Sequence, residues 1–164
     1  MSVGEITILP LNDDLTLDMA QINGIVLPVN FSAKIYSQMV QDKYSFVAFV
    51  KNPKTGKDEA VGAIGCVLKS DPHACPNTSG LCIASLAVLA KYRSKGIGSK
   101  LLNQVIELVE CQKKLITVYL QTQVNNDDGI KFYQRHNFSI ITRIEKFYRR
   151  LDPPDCFVLS RCFH

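Results

Sequence analysis

No stretch of this 164-residue chain approaches the about 18 consecutive apolar residues that a membrane-spanning helix needs, so no membrane partner is expected. The opening residues, Met1-Ser2-Val3-Gly4-Glu5, have no basic segment leading into an apolar one, and an export signal is not expected either. Also missing is any Cys-x-x-Cys or His-x-x-x-His pair. His73, Cys75 and Cys82 cluster only weakly, so no metal site is expected. A clustered basic stripe with interleaved aromatics is absent too. The nearest approach, Arg143 to Arg150 (RIEKFYRR), reads as a solvated strand face, and a net charge of +4 suits an anionic ligand without demanding nucleic acid. Two nucleotide motifs are excluded by single positions. The dinucleotide pattern needs a third glycine where Leu101 stands, and the P-loop needs a Gly-Lys-Ser/Thr run that the chain does not contain. With no internal repeat, low-complexity tract or linker, residues 1–164 read as one domain.

What is present describes a globular chain: hydrophobic residues make up 46% and charged residues 21%, enough apolar surface for one buried core. Several of the six cysteines fall inside predicted strands or on an apolar helix face, where a free thiol behaves as a small hydrophobe. Without an export signal these are expected to be reduced, in the cytoplasm and also the nucleus.

The pattern predicts a first strand over Glu5 to Leu9, stopped by Pro10. A helix capped by Asn12 or Asp13 follows to Ile25, with Leu15, Leu17, Ala20 and Ile25 partly on one face. Leu27-Pro28-Val29-Asn30-Phe31 interrupts it, and Ser32 caps a second, short helix carrying Ile35, Tyr36, Met39 and Val40. Tyr44 to Lys51 and Glu59 to Leu68 read as strands joined by the turn Asn52 to Lys57. A third, Ile83 to Leu89, is short and apolar. From Ile97 onward, Ile97, Leu101, Leu102, Val105, Leu108 and Val109 mark one face of a helix. Leu115 to Thr122 is a strand, and Asn125, Asn126 or Asp127 caps a helix ending near His136, with Asn137 suited to a left-handed stop. Phe138 to Phe147 and Cys156 to Cys162 close the chain as two strands.

Between the third strand and its helix sits Arg93-Ser94-Lys95-Gly96-Ile97-Gly98. Two glycines there let backbone approach a ligand, and the N–H groups of a first helical turn favour an anion. With Arg93, Lys95 and Lys100 close by, that anion is a phosphate or pyrophosphate; the alternative is an ordinary turn.

The segment resembles the acetyl-CoA signature of the GNAT superfamily of N-acetyltransferases, Arg/Gln-x-x-Gly-x-Gly/Ala, at Arg93 to Gly98. Gly129-Ile130-Lys131-Phe132-Tyr133 followed by Asn137-Phe138 is similar to another superfamily block, with Asn137 in place of its glycine. Within the superfamily the chain is most similar to the separation-anxiety family, the catalytic subunits of NatE. The matches are Leu27-Pro28-Val29-Asn30-Phe31, Ala60-Val61-Gly62-Ala63, Tyr92-Arg93, Tyr119-Leu120, Asn126, Tyr148, and Asp152-Pro153 with Asp155.

This resemblance implies an α/β (α+β) GNAT fold, a central mixed, mostly antiparallel twisted sheet of about seven strands flanked by about four helices. It implies acetyl transfer from acetyl-CoA to the α-amino group of protein N-termini, typically those starting with methionine. The implied partners are the N-terminal peptide, the NatA acetyltransferase complex and the ribosome. Carried over by position, Leu86, Val88, Arg93, Ser94, Lys95, Gly96, Ile97, Gly98, Ser99, Asn126 and Tyr133 would hold the cofactor. Leu27, Pro28, Val29, Phe31, Tyr36, Ala84, Phe147, Tyr148 and Leu151 would line the peptide slot, or pack the core. Tyr133 is the implied donor to the departing sulfur, or an aromatic packed on the sheet; Asn126 touches the cofactor or simply caps its helix.

At two positions the chain departs from the family. Where the family has a tyrosine and a histidine that take the amine's proton through water, this sequence has Cys82 and Gln121. A glutamine is no base, and a cysteine is one only as thiolate. Water, Tyr36, Tyr148 or a main-chain carbonyl remain as routes for the proton. A second reading follows: a catalytically weak or inactive acetyl-CoA-binding subunit of a larger ribosome-associated acetyltransferase.

Overall fold

The computed structural model describes residues 4–28 and 30–164. Its strands form a seven-stranded mixed sheet in the order β1-β2-β3-β4-β5-β7-β6, accompanied by four α-helices. In chain order these are β1 (Ile6–Pro10), α1 (Thr16–Val26), α2 (Ala33–Asp42), β2 (Phe46–Lys51), β3 (Asp58–Leu68), β4 (Ser79–Val88), α3 (Ile97–Cys111), β5 (Ile116–Gln123), α4 (Asp127–Arg135), β6 (Ser139–Ile144) and β7 (Cys156–Phe163). The α/β class and the element order are those expected.

The chain divides into two compact units. The first runs to Val67 and resumes over Ala84–Cys111. Its sheet pairs β1 with β2 and β2 with β3, all antiparallel. β3 is buried without interruption from Val61 to Val67, as a strand covered on both faces must be. Two of its glycines record this. A Cβ on Gly62 would lie 3.2 Å from Ile97 and 3.3 Å from Leu101 of α3, and one on Gly65 would lie 2.7 Å from the Met39 sulfur of α2. α3 supplies the unit's apolar face through Ile97, Leu101, Leu102, Val105, Ile106 and Val109.

α1 differs from expectation. Leu17 and Ile25 are 67% and 74% exposed, and the helix buries Met19, Ile22 and Asn23 instead. Its apolar residues lie nearly all round the helix, so their spacing singles out no face. Asn12 caps a short 3₁₀ turn, Asp13–Leu15, rather than α1 itself; its Oδ1 accepts from the Leu15 amide at 3.1 Å. Ser32 caps α2 as expected, its Oγ accepting from the Ile35 amide at 3.4 Å.

The second unit comprises Leu68–Ile83 and Gln112–His164. Here β4 runs parallel to β5, with Ser79 opposite Ile116 and Cys82 opposite Tyr119. This pairing starts β4 at Ser79, four residues before the apolar run marks it. β7 lies antiparallel between β5 and β6. β6 ends at Ile144, short of the expected Phe147. The Asp155 carboxylate accepts from Arg143 at 2.7 Å and from the Lys146 amide at 2.9 Å, turning the chain there. Asn137 takes φ 66°, the left-handed stop anticipated for it.

Gly80 is the tightest position of this unit. A Cβ there would collide with the Lys69 carbonyl and come within 2.6 Å of the Cys75 sulfur. Since one neighbour is backbone, relief requires the chain to shift. Gly80→Ala is expected to destabilise the protein by about 1–3 kcal/mol, read as a lower midpoint of urea unfolding with unchanged slope.

Candidate active site

In the first unit, the C-terminal half of β4 leads into the glycine-containing loop. Ala84, Leu86 and Val88 are half-buried while Ser85 and Ala87 are buried, the alternation of a strand with one face partly open. A 3₁₀ turn, Ala90–Tyr92, follows. The loop is anchored at its base: the Leu89 amide donates to the Val61 carbonyl at 2.9 Å, and Arg93 Nε donates to the Val88 carbonyl at 3.1 Å. Ser94 and Gly96 both adopt left-handed backbone, φ 60° and 81°, and turn the chain into α3. Nothing lies within 4 Å of a Cβ placed on Gly96, so its backbone is open to a ligand as well as requiring glycine's freedom.

The first α-helical hydrogen bond of α3 is Lys100 N–H to Gly96 O, at 3.0 Å. The amides of Ile97 and Gly98 precede it and have no intrahelical acceptor. Lys91, Arg93, Lys95 and Lys100 are exposed around this turn, while Ile97 is buried and Ser99 half-buried. An open glycine, oriented amides and four cations form a donor set that fits a pyrophosphate. The same unit holds Leu27 and Phe31, half-buried, Pro28, exposed, and Tyr36, buried. Val29 lies outside the described residues.

In the second unit, Cys82 and Gln121 meet although 39 residues apart, with Cys82 Sγ 4.0 Å from Gln121 Oε1. The thiol, 8% exposed, is pushed up to about 11 by burial, against a smaller lowering by a hydrogen bond with Tyr119. It therefore stays protonated at neutral pH. Tyr119, fully buried, donates its hydroxyl proton to the Lys69 carbonyl at 2.8 Å, and burial drives its ionisation upward as well. Tyr148, half-buried beyond the β6 turn, is pushed up to about 12, by burial first and then by Cys156 and Cys82. The Tyr148 amide donates to the Pro154 carbonyl at 2.8 Å, and Phe147 packs edge-on against the Tyr148 ring at 4.9 Å. Leu151 is half-buried nearby in the chain. Cys82, Gln121 and Tyr119 thus carry no charge at neutral pH, and the charges that act on the thiol are those of Lys69 and Asp71.

α4 presents the remaining expected residues. Tyr133 is buried between Phe132 and Phe138, with ring centroids at 5.1 and 5.5 Å, both edge-on. Asn126 caps the helix: its Oδ1 accepts from the Gly129 amide at 3.2 Å and its Nδ2 donates to Thr122 Oγ1 at 2.8 Å. Of the two roles open to Asn126, the cap is present in the structure. His136 sits at the far end of α4, its carbonyl accepting from Arg161.

Tyr119, matched to the family by sequence, gains a role from the structure: its hydroxyl makes it part of the Cys82 cluster. One residue escapes a reading based on motifs. Asn23, 1% exposed, is a polar residue on the buried face of α1 beside Met19 and Ile22. An amide at a core position is its signal.

The model of the acetyltransferase (GNAT) family matches residues 19–138. N-alpha-acetyltransferase 50 of Danio rerio is 32% identical over 143 residues, 87% of this chain and 80% of that protein. The probable N-acetyltransferase san of Drosophila melanogaster is 27% identical over 144 residues, 87% of this chain and 73% of that protein. Among solved structures, Arabidopsis thaliana Naa50 in complex with the bisubstrate analogue CoA-Ac-MVNAL superposes with a TM-score of 0.81 at 31% identity, covering 95% of this chain and 97% of its own.

Proposed function

The chain belongs to the GNAT acetyltransferase family, and from that premise we propose that it transfers acetyl from acetyl-CoA to the α-amino group of protein N-termini, chiefly those beginning with methionine. The observation that carries the reading is the open, glycine-started turn of α3 with its ring of cations. Support comes from relatives named N-alpha-acetyltransferases, and from a similar chain solved with an analogue whose peptide part is MVNAL. The same reading has the chain working in the cytoplasm, beside the NatA complex at the ribosome.

Acetyl-CoA, when bound, supplies an acetyl group already activated as a thioester. The backbone from Arg93 through Ser99 would hold the diphosphate and Leu86 and Val88 the arm, and N–H groups of β4 would supply donors to the thioester carbonyl. In the first unit, Leu27, Pro28, Phe31, Tyr36 and Ala84 would serve the peptide. The amine attacks directly, so no protein nucleophile is needed. Tyr133 would hydrogen-bond the departing sulfur, and the amine's proton would leave through water, Tyr36, Tyr148 or a main-chain carbonyl.

With Cys82 and Gln121 both neutral, the substrate must arrive as free amine. An α-amino group, with an ordinary pKa of about 7.7–8.0, is about a tenth or more neutral at physiological pH; a lysine ε-amine near 10.4 is under about one part in a hundred. The missing base therefore selects N-termini over lysines. It also favours one alternative, a weakly active acetyl-CoA-binding subunit of a larger acetyltransferase. Incubation with acetyl-CoA and peptides differing in their first two residues separates the two. The expected result is thiol release with acetyl on the α-amine of Met-starting peptides. No release for any peptide, with coenzyme A bound by calorimetry, would favour the subunit; acetyl on side chains alone would sink both.

A further inference from the structure

Asn23 and Tyr36 form a closed bracket around the loop that joins α1 to α2. Asn23 Nδ2 donates to the Tyr36 hydroxyl at 3.1 Å. The Asn23 carbonyl accepts the Leu27 amide at 2.9 Å, at the point where Leu27 leaves the helix for extended backbone (φ −100°, ψ 146°). The Tyr36 ring meets Phe31 edge-on, centroids 6.1 Å apart at 79°. One end of the loop is thus tied to Asn23 and the other to Tyr36, and a single side-chain hydrogen bond joins the two ties.

That bond is costly to keep. Asn23 Oδ1 is buried with no hydrogen-bond partner among the described residues, an expense an apolar residue at this core position would avoid. An amide retained at such expense serves geometry better than it serves stability. We propose that Asn23 is a positioning residue: acting through Tyr36, it holds Leu27 and Phe31 in place and so sets affinity for the peptide. The inference rests on the reading of Leu27 to Phe31 as a wall of the peptide slot.

Asn23→Ala cuts the side-chain tie while keeping the carbonyl, and alanine is the better helix former. Tyr36→Phe keeps the ring on Phe31 and removes only the hydroxyl. Hydrogen–deuterium exchange at the Leu27 amide, held by the Asn23 carbonyl, reads the loop directly, whether or not the protein turns over. In both variants this amide is expected to exchange roughly tenfold faster, the scale of one lost buried hydrogen bond. For Asn23→Ala the KM for a Met-starting peptide is expected to rise roughly tenfold, while the KM for acetyl-CoA stays within about twofold. If no peptide is acetylated even by the unmodified chain, the reading of its activity fails separately, and peptide affinity in the presence of coenzyme A, measured by calorimetry, takes the place of KM. Unchanged exchange in both variants overturns the bracket. A lower melting temperature or faster exchange with unchanged peptide affinity makes Asn23 a purely structural residue and overturns its positioning role.

Discussion

Replacing Gly96 with aspartate is expected to weaken coenzyme A binding on the order of 100-fold, measured by calorimetry, with the melting temperature lowered by about 2–4 °C through backbone strain. Two effects act together. The added negative charge repels the diphosphate held at this turn. Two unit charges about 4 Å apart at an effective dielectric near 20 cost about 4 kcal/mol, and exposure and salt reduce this severalfold. Second, φ of 81° is unfavourable for a side chain, though aspartate tolerates it better than most. Steric clash is no part of the effect, since nothing lies within 4 Å of the new Cβ. Alanine at the same position separates the contributions: it carries the backbone strain without the charge and should lose far less affinity. Equal losses for both variants would mean that loop shape alone, and no charge repulsion, governs binding. No loss for either would remove the turn from the cofactor site and with it the main support for acetyl transfer.

That this corner was readable in advance follows from its being local. An apolar strand, two glycines and a helix periodicity lie within thirty or so consecutive residues, and each signal is set by the backbone's own geometry. The caps at Ser32 and Asn126 and the left-handed Asn137 were legible for the same reason. Elements whose form depends on distant partners were not. The start of β4 at Ser79 is fixed by its parallel pairing with Ile116, a contact that leaves no trace in the residues around Ser79. The stop of β6 at Ile144 depends on Asp155, which lies on the far side of the turn. The packed face of α1 is not legible because its apolar residues surround the helix and the rest of the unit chooses among them. Asn23 is polar, so an apolar periodicity gives it no place in the core. The meeting of Cys82 with Gln121 was accessible only through the resemblance, which paired two positions on different strands; the structure adds that neither partner carries charge.

That neutrality makes a pH prediction with a definite sign. The Cys82 pKa is raised above its ordinary 9.0 to about 11, so between pH 6 and 9 the thiol remains protonated and contributes no titration limb. Tyr148, pushed up to about 12, contributes none either. For a peptide with a free α-amine, kcat/KM should rise about tenfold per pH unit from pH 6 and level off near the amine's own pKa of about 7.7–8.0. Substituting a peptide whose amine has a lower pKa should move the plateau by the same amount, which an enzyme-borne base would not allow. Installing the family's pair, Cys82→Tyr with Gln121→His, gives the site an acceptor with an ordinary pKa of about 6.5. Its benefit is greatest where the free amine is scarce. At pH 6 only about 1–2% of an α-amine is neutral, and the double variant is expected to gain at least about tenfold in kcat/KM, the low end of what positioned bases supply being about 100-fold. By pH 9 the amine is neutral unaided, and the gain should fall to about twofold. Glutamine to histidine replaces a half-buried polar side chain, whereas cysteine to tyrosine fills buried space beside Tyr119, so the single Gln121→His variant is the control for packing. The same rate from pH 6 to 9 in wild type and both variants would show that positions 82 and 121 lie off the proton's path. Equal gains at every pH would point to better substrate positioning and away from proton transfer. A gain confined to the acid limb is the outcome that assigns the two positions to the proton path, and it would mean that this chain, lacking the pair, relies on its substrate's own basicity.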